Sequence, residues 1–128
     1  MRFEKWLENG TVYINGKKIK NFSEIPWSRH QKFEGVFMKN LFCGLDSDNN
    51  LSSMIVKIEP HHEIGNHIHE GKSELHEILA GKGIGTVGDK KIDYCPGVVS
   101  FIPADIPHKI TAGEEEMIIL AKFTPPLN

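Results

Sequence analysis

The sequence predicts an all-β protein, a barrel or sandwich built from many short strands. Short runs of alternating apolar and polar residues occur along most of the chain, which is the pattern of strands with one buried face. These runs recur roughly every 8–12 residues and are separated by Gly, Pro and Asn-Gly signals. Helix signals are weak, and the sequence has no repeat of fixed period. Together these observations favour closed or layered antiparallel sheets over a helical or α/β fold.

The predicted elements follow one another with short connections. Phe3, Trp6 and Leu7 have helical spacing, so one or two helical turns are expected before Gly10. A hairpin is predicted over 11–19, because Asn15-Gly16 is the pair that type I′ turns prefer. The other predicted strands span 36–43, 51–59, 74–80, 84–87, 90–94, 98–102 and 117–123, with a further strand beginning at His108. The pair Gly88-Asp89 predicts a second hairpin between two of them.

Composition narrows the class of protein. The 128 residues fit one domain, 1–128. The net charge of −2 gives no electrostatic sign of a nucleic-acid or anionic-lipid partner. No signal-peptide pattern or long apolar run is present, so no membrane partner is expected. Cys43 and Cys95 are too few for a disulfide framework, which favours a cytoplasmic protein, although one bridge between them stays open.

Histidines mark the candidate site. The chain has seven, and five of them lie between residues 61 and 76. His67 and His69 leave the same face if they lie on one strand, and Glu74 is the best-placed carboxylate of the next strand. His108, just after Pro107, is the isolated downstream histidine that supplies a fourth group. Imidazoles with one carboxylate suit one divalent transition-metal ion per chain, such as Zn, Fe, Mn, Ni, Co or Cu.

These residues resemble the motifs of the cupins. The first cupin motif places His-x-His three or four residues before Glu and a Gly six residues later, as do His67, His69, Glu74 and Gly81. The second motif is matched in register by Gly97, Pro103 and His108. The resemblance covers about residues 51–123. His61, Asp105 and Ala112 depart from the family pattern, at positions that shape turns rather than bind metal.

The resemblance implies a double-stranded β-helix, or jelly-roll barrel, over 51–123, with 1–45 forming an N-terminal hairpin extension and the first strands. It also implies metal ligation by His67, His69, Glu74 and His108. Cupins with this ligand set include dioxygenases, lyases and sugar isomerases. We therefore expect a metal-dependent enzyme for a small organic acid or sugar-like substrate; the alternative is a cupin that binds or senses a small molecule without turnover.

Four further residues are weaker candidates. His76 shares the inward face of Glu74, and it is either a proton-transferring catalytic group or a core histidine bonded to the backbone. His61 and His62 line the pocket or belong to a loop. Tyr94 is either a functional hydroxyl of the pocket or part of the core.

The expected assembly is a homodimer. The run 117–121 is apolar on both faces, and a sheet exposed to water would not favour that pattern. The N-terminal hairpin, with Val12 and Ile14, adds apolar surface outside the motif region. We expect this N-terminal segment to pack on, or pair with, the partner's sheet.

Overall fold

The computed structural model describes residues 3–128 and consists almost entirely of β-strands. One short helix, α1 (Phe3–Asn9), precedes them, and 3-10 turns at Phe22–Glu24 and Gly44–Asp46 interrupt them. The strands in chain order are β1 (Thr11–Ile14), β2 (Lys17–Asn21), β3 (Ser28–Arg29), β4 (Val36–Phe42), β5 (Ser52–Ile58), β6 (Glu63–His67), β7 (Ser73–Ala80), β8 (Gly83–Val87), β9 (Lys90–Tyr94), β10 (Val99–Ile102), β11 (His108–Ala112) and β12 (Met117–Thr124).

Two antiparallel sheets form a jelly-roll sandwich. The larger has the strand order β10-β7-β12-β5-β4-β3, and the smaller has the order β6-β11-β8-β9. Strands that neighbour each other in a sheet are often distant in sequence, as β12 is from both β5 and β7. The inner faces meet in a core of buried apolar side chains that includes Val56, Ile78, Ile110, Ile119 and Phe123. The all-β jelly-roll prediction is confirmed.

The outer face of the larger sheet is covered by the chain's own N-terminal segment, α1 to the turn at Phe22–Glu24. Val12 and Phe22 pack in one buried cluster with Leu41, Ile55 and Ile118 of the sheet. Each fully buried side chain of this size is worth about 1.5–3 kcal/mol relative to exposure. The second apolar face of β12 is therefore buried within the same chain, and a partner subunit is not needed to explain it.

Most predicted strands appear close to their expected limits. The N-terminal hairpin turns at Asn15 and Gly16, whose φ angles of 51° and 77° are those of a type I′ turn. Two strands, β3 and β6, were not among those predicted, and β6 ends at His67, so His67 and His69 do not lie on one strand. Both cysteines are free thiols. Within residues 3–128 no helix has the length and apolar character needed to cross a membrane.

Candidate metal centre

Four predicted ligands meet between the two sheets. His67 ends β6 and His108 begins β11, and these two residues are register partners in the smaller sheet. Glu74, near the start of β7, reaches them from the larger sheet. His69 lies in the loop between β6 and β7. One ligand atom of each residue lies within 4.8 Å of the others, close to the separations that metal bonds of about 2.0–2.2 Å require. The cluster could hold a metal ion.

The loop, not strand alternation, brings His69 to the cluster. Since β6 ends at His67, the shared-face argument does not apply to this pair, although their ring centroids are only 4.8 Å apart. Asp105 ties the loop to the segment before β11. Its backbone N–H donates to the carbonyl of His69 at 3.3 Å, and its carboxylate accepts from the N–H of Gly71 at 2.8 Å. Sequence reasoning missed this role of Asp105, although its departure from the cupin motif marked the position.

Backbone carbonyls orient two of the imidazoles. Nδ1 of His67 lies 2.7 Å from the carbonyl oxygen of Gly65, and Nδ1 of His108 lies 2.9 Å from that of Ile106. A carbonyl only accepts hydrogen bonds, so each Nδ1 carries a hydrogen and donates it. Nε2 of each ring is left for the cluster, which is the arrangement found around histidines that ligate metals.

Glu74 provides the negative charge of the cluster. Its Oε1 lies 2.9 Å from Nε2 of His108 and 3.5 Å from Nε2 of His69, and its side chain is only 8% exposed. Burial raises the pKa of Glu74, but hydrogen bonds from His108 and His76, together with their electrostatic attraction, outweigh burial and bring the pKa well below its ordinary value. The carboxylate is thus ionised at neutral pH.

The three histidines differ in charge. Burial lowers the pKa of His67 to about 4, and burial also lowers the pKa of His69, so both rings are neutral at pH 7. Burial lowers the pKa of His108 as well, but its hydrogen bonds to Glu74 and to the carbonyl of Ile106, together with the negative charge of Glu74, outweigh burial and raise the pKa above 6.5. His108 therefore donates from Nε2 to Glu74, and a bound metal ion would replace that proton.

The donor set favours a transition metal. Three imidazole nitrogens and one carboxylate oxygen suit Zn, Fe, Mn, Co, Ni or Cu, whereas Mg and Ca prefer oxygen ligands throughout. Solvent reaches the cluster on the His69 side, where the side chain is 21% exposed, while His108 is 2% exposed. The ring of Phe123 packs against His69, and that of Phe33 lies near His67. The positive charge of Lys72 also acts on His69 and contributes to its lowered pKa.

His76 and Tyr94 lie on the far side of Glu74. The His76 side chain is 2% exposed, with Nε2 2.9 Å from Oε2 of Glu74 and Nδ1 2.9 Å from the hydroxyl of Tyr94. Tyr94 is 1% exposed. Both residues point inward, but their polar atoms are engaged with each other and with Glu74 rather than with the solvent side.

His61 and His62 lie at the opposite end of β11 from His108. The N–H of His61 donates to the carbonyl of Gly113, and the carbonyl of His62 accepts from the N–H of Ala112. The His62 ring lies so near Gly35 that a Cβ atom there would come within 2.4 Å of it. The structure therefore does not bring these two histidines to the cluster.

Comparison with known proteins identifies the family. A family model described as "Cupin domain" matches residues 54–122, more than half of the chain and nearly all of the predicted motif region. A sequence comparison with curated proteins gives no significant match.

Solved structures share this fold. A predicted oxalate decarboxylase from Thermotoga maritima is 28% identical, with a TM-score of 0.74 over 80% of this chain and 94% of that one. KdgF from Halomonas sp. is 19% identical, with a TM-score of 0.72 over 80% of this chain and 88% of that one. The polyketide cyclase RemF from Streptomyces resistomycificus is 17% identical, with a TM-score of 0.69 over 83% of this chain and 76% of that one. At these lower identities KdgF and RemF support the fold alone.

Proposed function

The chain belongs to the cupin family, and from this premise we propose that it is a metal-dependent enzyme acting on a small organic acid. One divalent transition-metal ion is held by His67, His69, Glu74 and His108. The observation that carries the proposal is the convergence of these four ligands from both sheets within 4.8 Å. Two neutral imidazoles beside one buried carboxylate form a donor set that is ready to bind a cation.

The surroundings of the cluster support an acid as substrate. Lys72 lies in the same loop as His69 and acts electrostatically on its ring; its Nζ donates to the carbonyl of Pro126 at 2.9 Å, and its charge attracts an anion. The 28% identical structure is described as a predicted oxalate decarboxylase, which acts on a small dicarboxylic acid. A sugar-like substrate is the alternative, but the positive charge of Lys72 offers it no comparable attraction.

In such a site, different residues of the chain would have different roles. A bound metal ion supplies Lewis-acid polarisation of a substrate oxygen. Lys72 attracts and orients the substrate's negative charge, and the rings of Phe33 and Phe123 exclude water from the side of the histidines. Glu74, which is ionised and buried, holds the positive charge in place.

Metal analysis and a substrate panel test the proposal. Protein purified from its own host, without a nickel affinity column, is expected to contain about one transition-metal ion per chain. His69→Ala and His108→Ala should lose most of the metal, whereas His62→Ala, at the other end of β11, should retain it. Retention of full metal by both ligand variants contradicts the assignment. The metal-loaded protein is then incubated with oxalate and other small mono- and dicarboxylic acids, and consumption of one of them is expected.

A binding or sensing cupin without turnover is the second candidate. The observation that favours it is the position of His76, which has both nitrogens engaged behind Glu74 and does not face the solvent side. For this candidate, calorimetry shows saturable binding of oxalate or another acid from the panel to the metal-loaded protein, and no acid is consumed.

We also propose a cytoplasmic homodimer. Among the exposed apolar side chains, Tyr13 of the N-terminal hairpin is 61% exposed, and Val99 and Phe101 of the edge strand β10 are 63% and 59% exposed. Such surface is typical of contacts between subunits. Light scattering at micromolar concentration should give about twice the chain mass of 14.4 kDa. A mass near that of one chain contradicts the dimer.

A further inference from the structure

The two oxygens of the Glu74 carboxylate face different groups. Oε1 points to the cluster, 2.9 Å from Nε2 of His108 and 3.5 Å from Nε2 of His69. Oε2 points away from these histidines and lies 2.9 Å from Nε2 of His76. The Glu74 carboxylate thus presents only Oε1 to the cluster, while Oε2 is hydrogen-bonded to His76 on the opposite side.

His76 is itself held in position. It lies two residues after Glu74 on β7, so both side chains leave the same face of the strand. Its Nδ1 lies 2.9 Å from the hydroxyl of Tyr94 on β9, and the Ser100 side chain hydrogen-bonds that hydroxyl in turn. A Cβ atom at Gly85 would come within 2.4 Å of the Tyr94 ring, so the ring packs directly on the backbone of β8. The tyrosine hydroxyl therefore has little freedom to move.

The ionised carboxylate fixes the direction of one hydrogen bond in this chain of contacts. An ionised carboxylate only accepts hydrogen bonds, so Nε2 of His76 donates to Oε2 of Glu74. Nδ1 of His76 faces the Tyr94 hydroxyl, which can donate to or accept from a ring nitrogen. Burial raises the pKa of Tyr94, so the phenol retains its hydrogen at neutral pH. Each group is satisfied, and none of the three faces the solvent side of the cluster.

We propose that the hydrogen-bond chain Ser100–Tyr94–His76 restrains Oε2 and so restricts Glu74 to a single ligand oxygen. A carboxylate free to rotate can bind a metal through both oxygens and fill a position that a substrate would otherwise use. His76 is then a positioning residue, which acts on the metal through Glu74 and does not touch the substrate. This inference rests on the proposed metal-binding function, since it concerns how one of the ligands is held.

The test uses Co²⁺ as the probe, because its visible absorption reports the number and geometry of its ligands. The protein is stripped of metal, reloaded with Co²⁺ alone, and compared with four variants. His76→Leu removes the donor, His76→Gln keeps an N–H that can donate to Oε2, and Tyr94→Phe removes only the hydroxyl. Tyr13→Phe is the matched control, because its hydroxyl lies on the exposed N-terminal hairpin.

The expected results separate positioning from packing. In His76→Leu the absorption bands of Co²⁺ should change towards higher coordination, and Co²⁺ affinity should fall by about 10- to 100-fold, as is usual when a group that orients a ligand is removed. Tyr94→Phe should change the spectrum in the same direction but less, while His76→Gln and Tyr13→Phe should match the parent protein.

Three outcomes overturn the inference. If Tyr94→Phe and any folded His76→Leu both keep the parent spectrum, the chain of hydrogen bonds does not control Glu74. If His76→Gln changes the spectrum as much as His76→Leu, the donated hydrogen bond is not the cause. If the parent protein binds no Co²⁺, the proposed function itself fails, and the inference fails with it. The first two outcomes leave the metal site intact and reject only the role of His76.

Discussion

The two ends of strand β11 carry similar residues in different surroundings. At its start, His108 pairs with His67, and Nδ1 of each ring is bonded to the carbonyl oxygen two residues earlier. At its other end, His62 makes the same contact, with Nδ1 2.9 Å from the carbonyl oxygen of Pro60. The hydrogen bond from Nδ1 to the carbonyl oxygen two residues earlier, which orients a histidine ring, is therefore present at both ends.

A buried carboxylate distinguishes the two ends. Glu74 enters the first end from the other sheet and gathers three histidines around one ionised group that is 8% exposed. At the second end Glu63 is exposed and accepts a hydrogen bond from Thr111. Among the described residues, a cluster that could hold a metal ion forms only at the first end. The comparison indicates that oriented imidazoles become a candidate metal site when a carboxylate from the opposite sheet lies among them.

Glu74→Gln is expected to have the largest effect. The amide keeps the shape of the side chain but removes the negative charge, so metal affinity should fall by at least about 100-fold, more than is usual for residues that only orient a ligand. Calorimetric titration with Co²⁺ measures the change. The matched variant Glu63→Gln alters a carboxylate at the opposite end and should leave the affinity unchanged; an equal loss in both variants would mean that net charge, rather than position, governs binding.

The pH dependence of folding should separate His67 from His108. The pKa of His67 is about 4 in the folded protein and about 6.5 for an ordinary histidine, so the unfolded chain takes up the proton first as the pH falls. The metal-free protein should therefore lose stability through His67 between pH 6.5 and about 4, with a slope of at most about one proton. In chemical denaturation, His67→Asn should flatten the decline in this range.

His108 should act in a higher pH range and with the opposite sign. Because its folded pKa is raised above 6.5, its contribution is fully present below pH 6.5 and is lost as the pH rises through the folded pKa. His108→Asn should therefore change the pH dependence above 6.5 and produce only a constant offset below it. Identical curves for the two variants would show that the two histidines do not differ in charge as the hydrogen bonds require.

Asp105→Gly should have the smallest effect of the changes near the cluster. Asp105 has a φ of 68°, which glycine adopts without strain, so the substitution removes the bond to Gly71 and little else. The loss of one hydrogen bond, about 0.5–1.5 kcal/mol, should weaken metal binding by roughly 2- to 10-fold. Asp48→Gly is the control, since Asp48 also has a positive φ, 52°, in a different loop. An unchanged affinity in Asp105→Gly would show that the loop carrying His69 holds its position without this bond.

Strand positions and the clustering of the four candidate residues were predictable because both leave short-range signals. Alternation and turn pairs such as Asn15-Gly16 depend on neighbouring residues, and the structure confirms the β-strands that they predict. The spacing of His67, His69 and Glu74 is likewise local, and with His108 it was enough to indicate the cupin family that the comparison confirms. Strand alternation was nevertheless the wrong reason for grouping His69 with His67, since a loop places His69 in the cluster.

The neighbours of each residue depended on the packing of the two sheets. The direction of His76 followed from alternation, but its engagement with Oε2 of Glu74 and with Tyr94 depends on where β9 lies against β7. Alternation likewise showed that β12 has two apolar faces, and the structure covers the outer one with Val12 and Phe22 of the same chain. Glu74 and His108 are 34 residues apart in sequence and 2.9 Å apart in space. The cupin resemblance placed these two residues in one site, but alternation and turn signals alone carry no information about such contacts, because they form only when strands that are distant in sequence pair and the sheets close on each other.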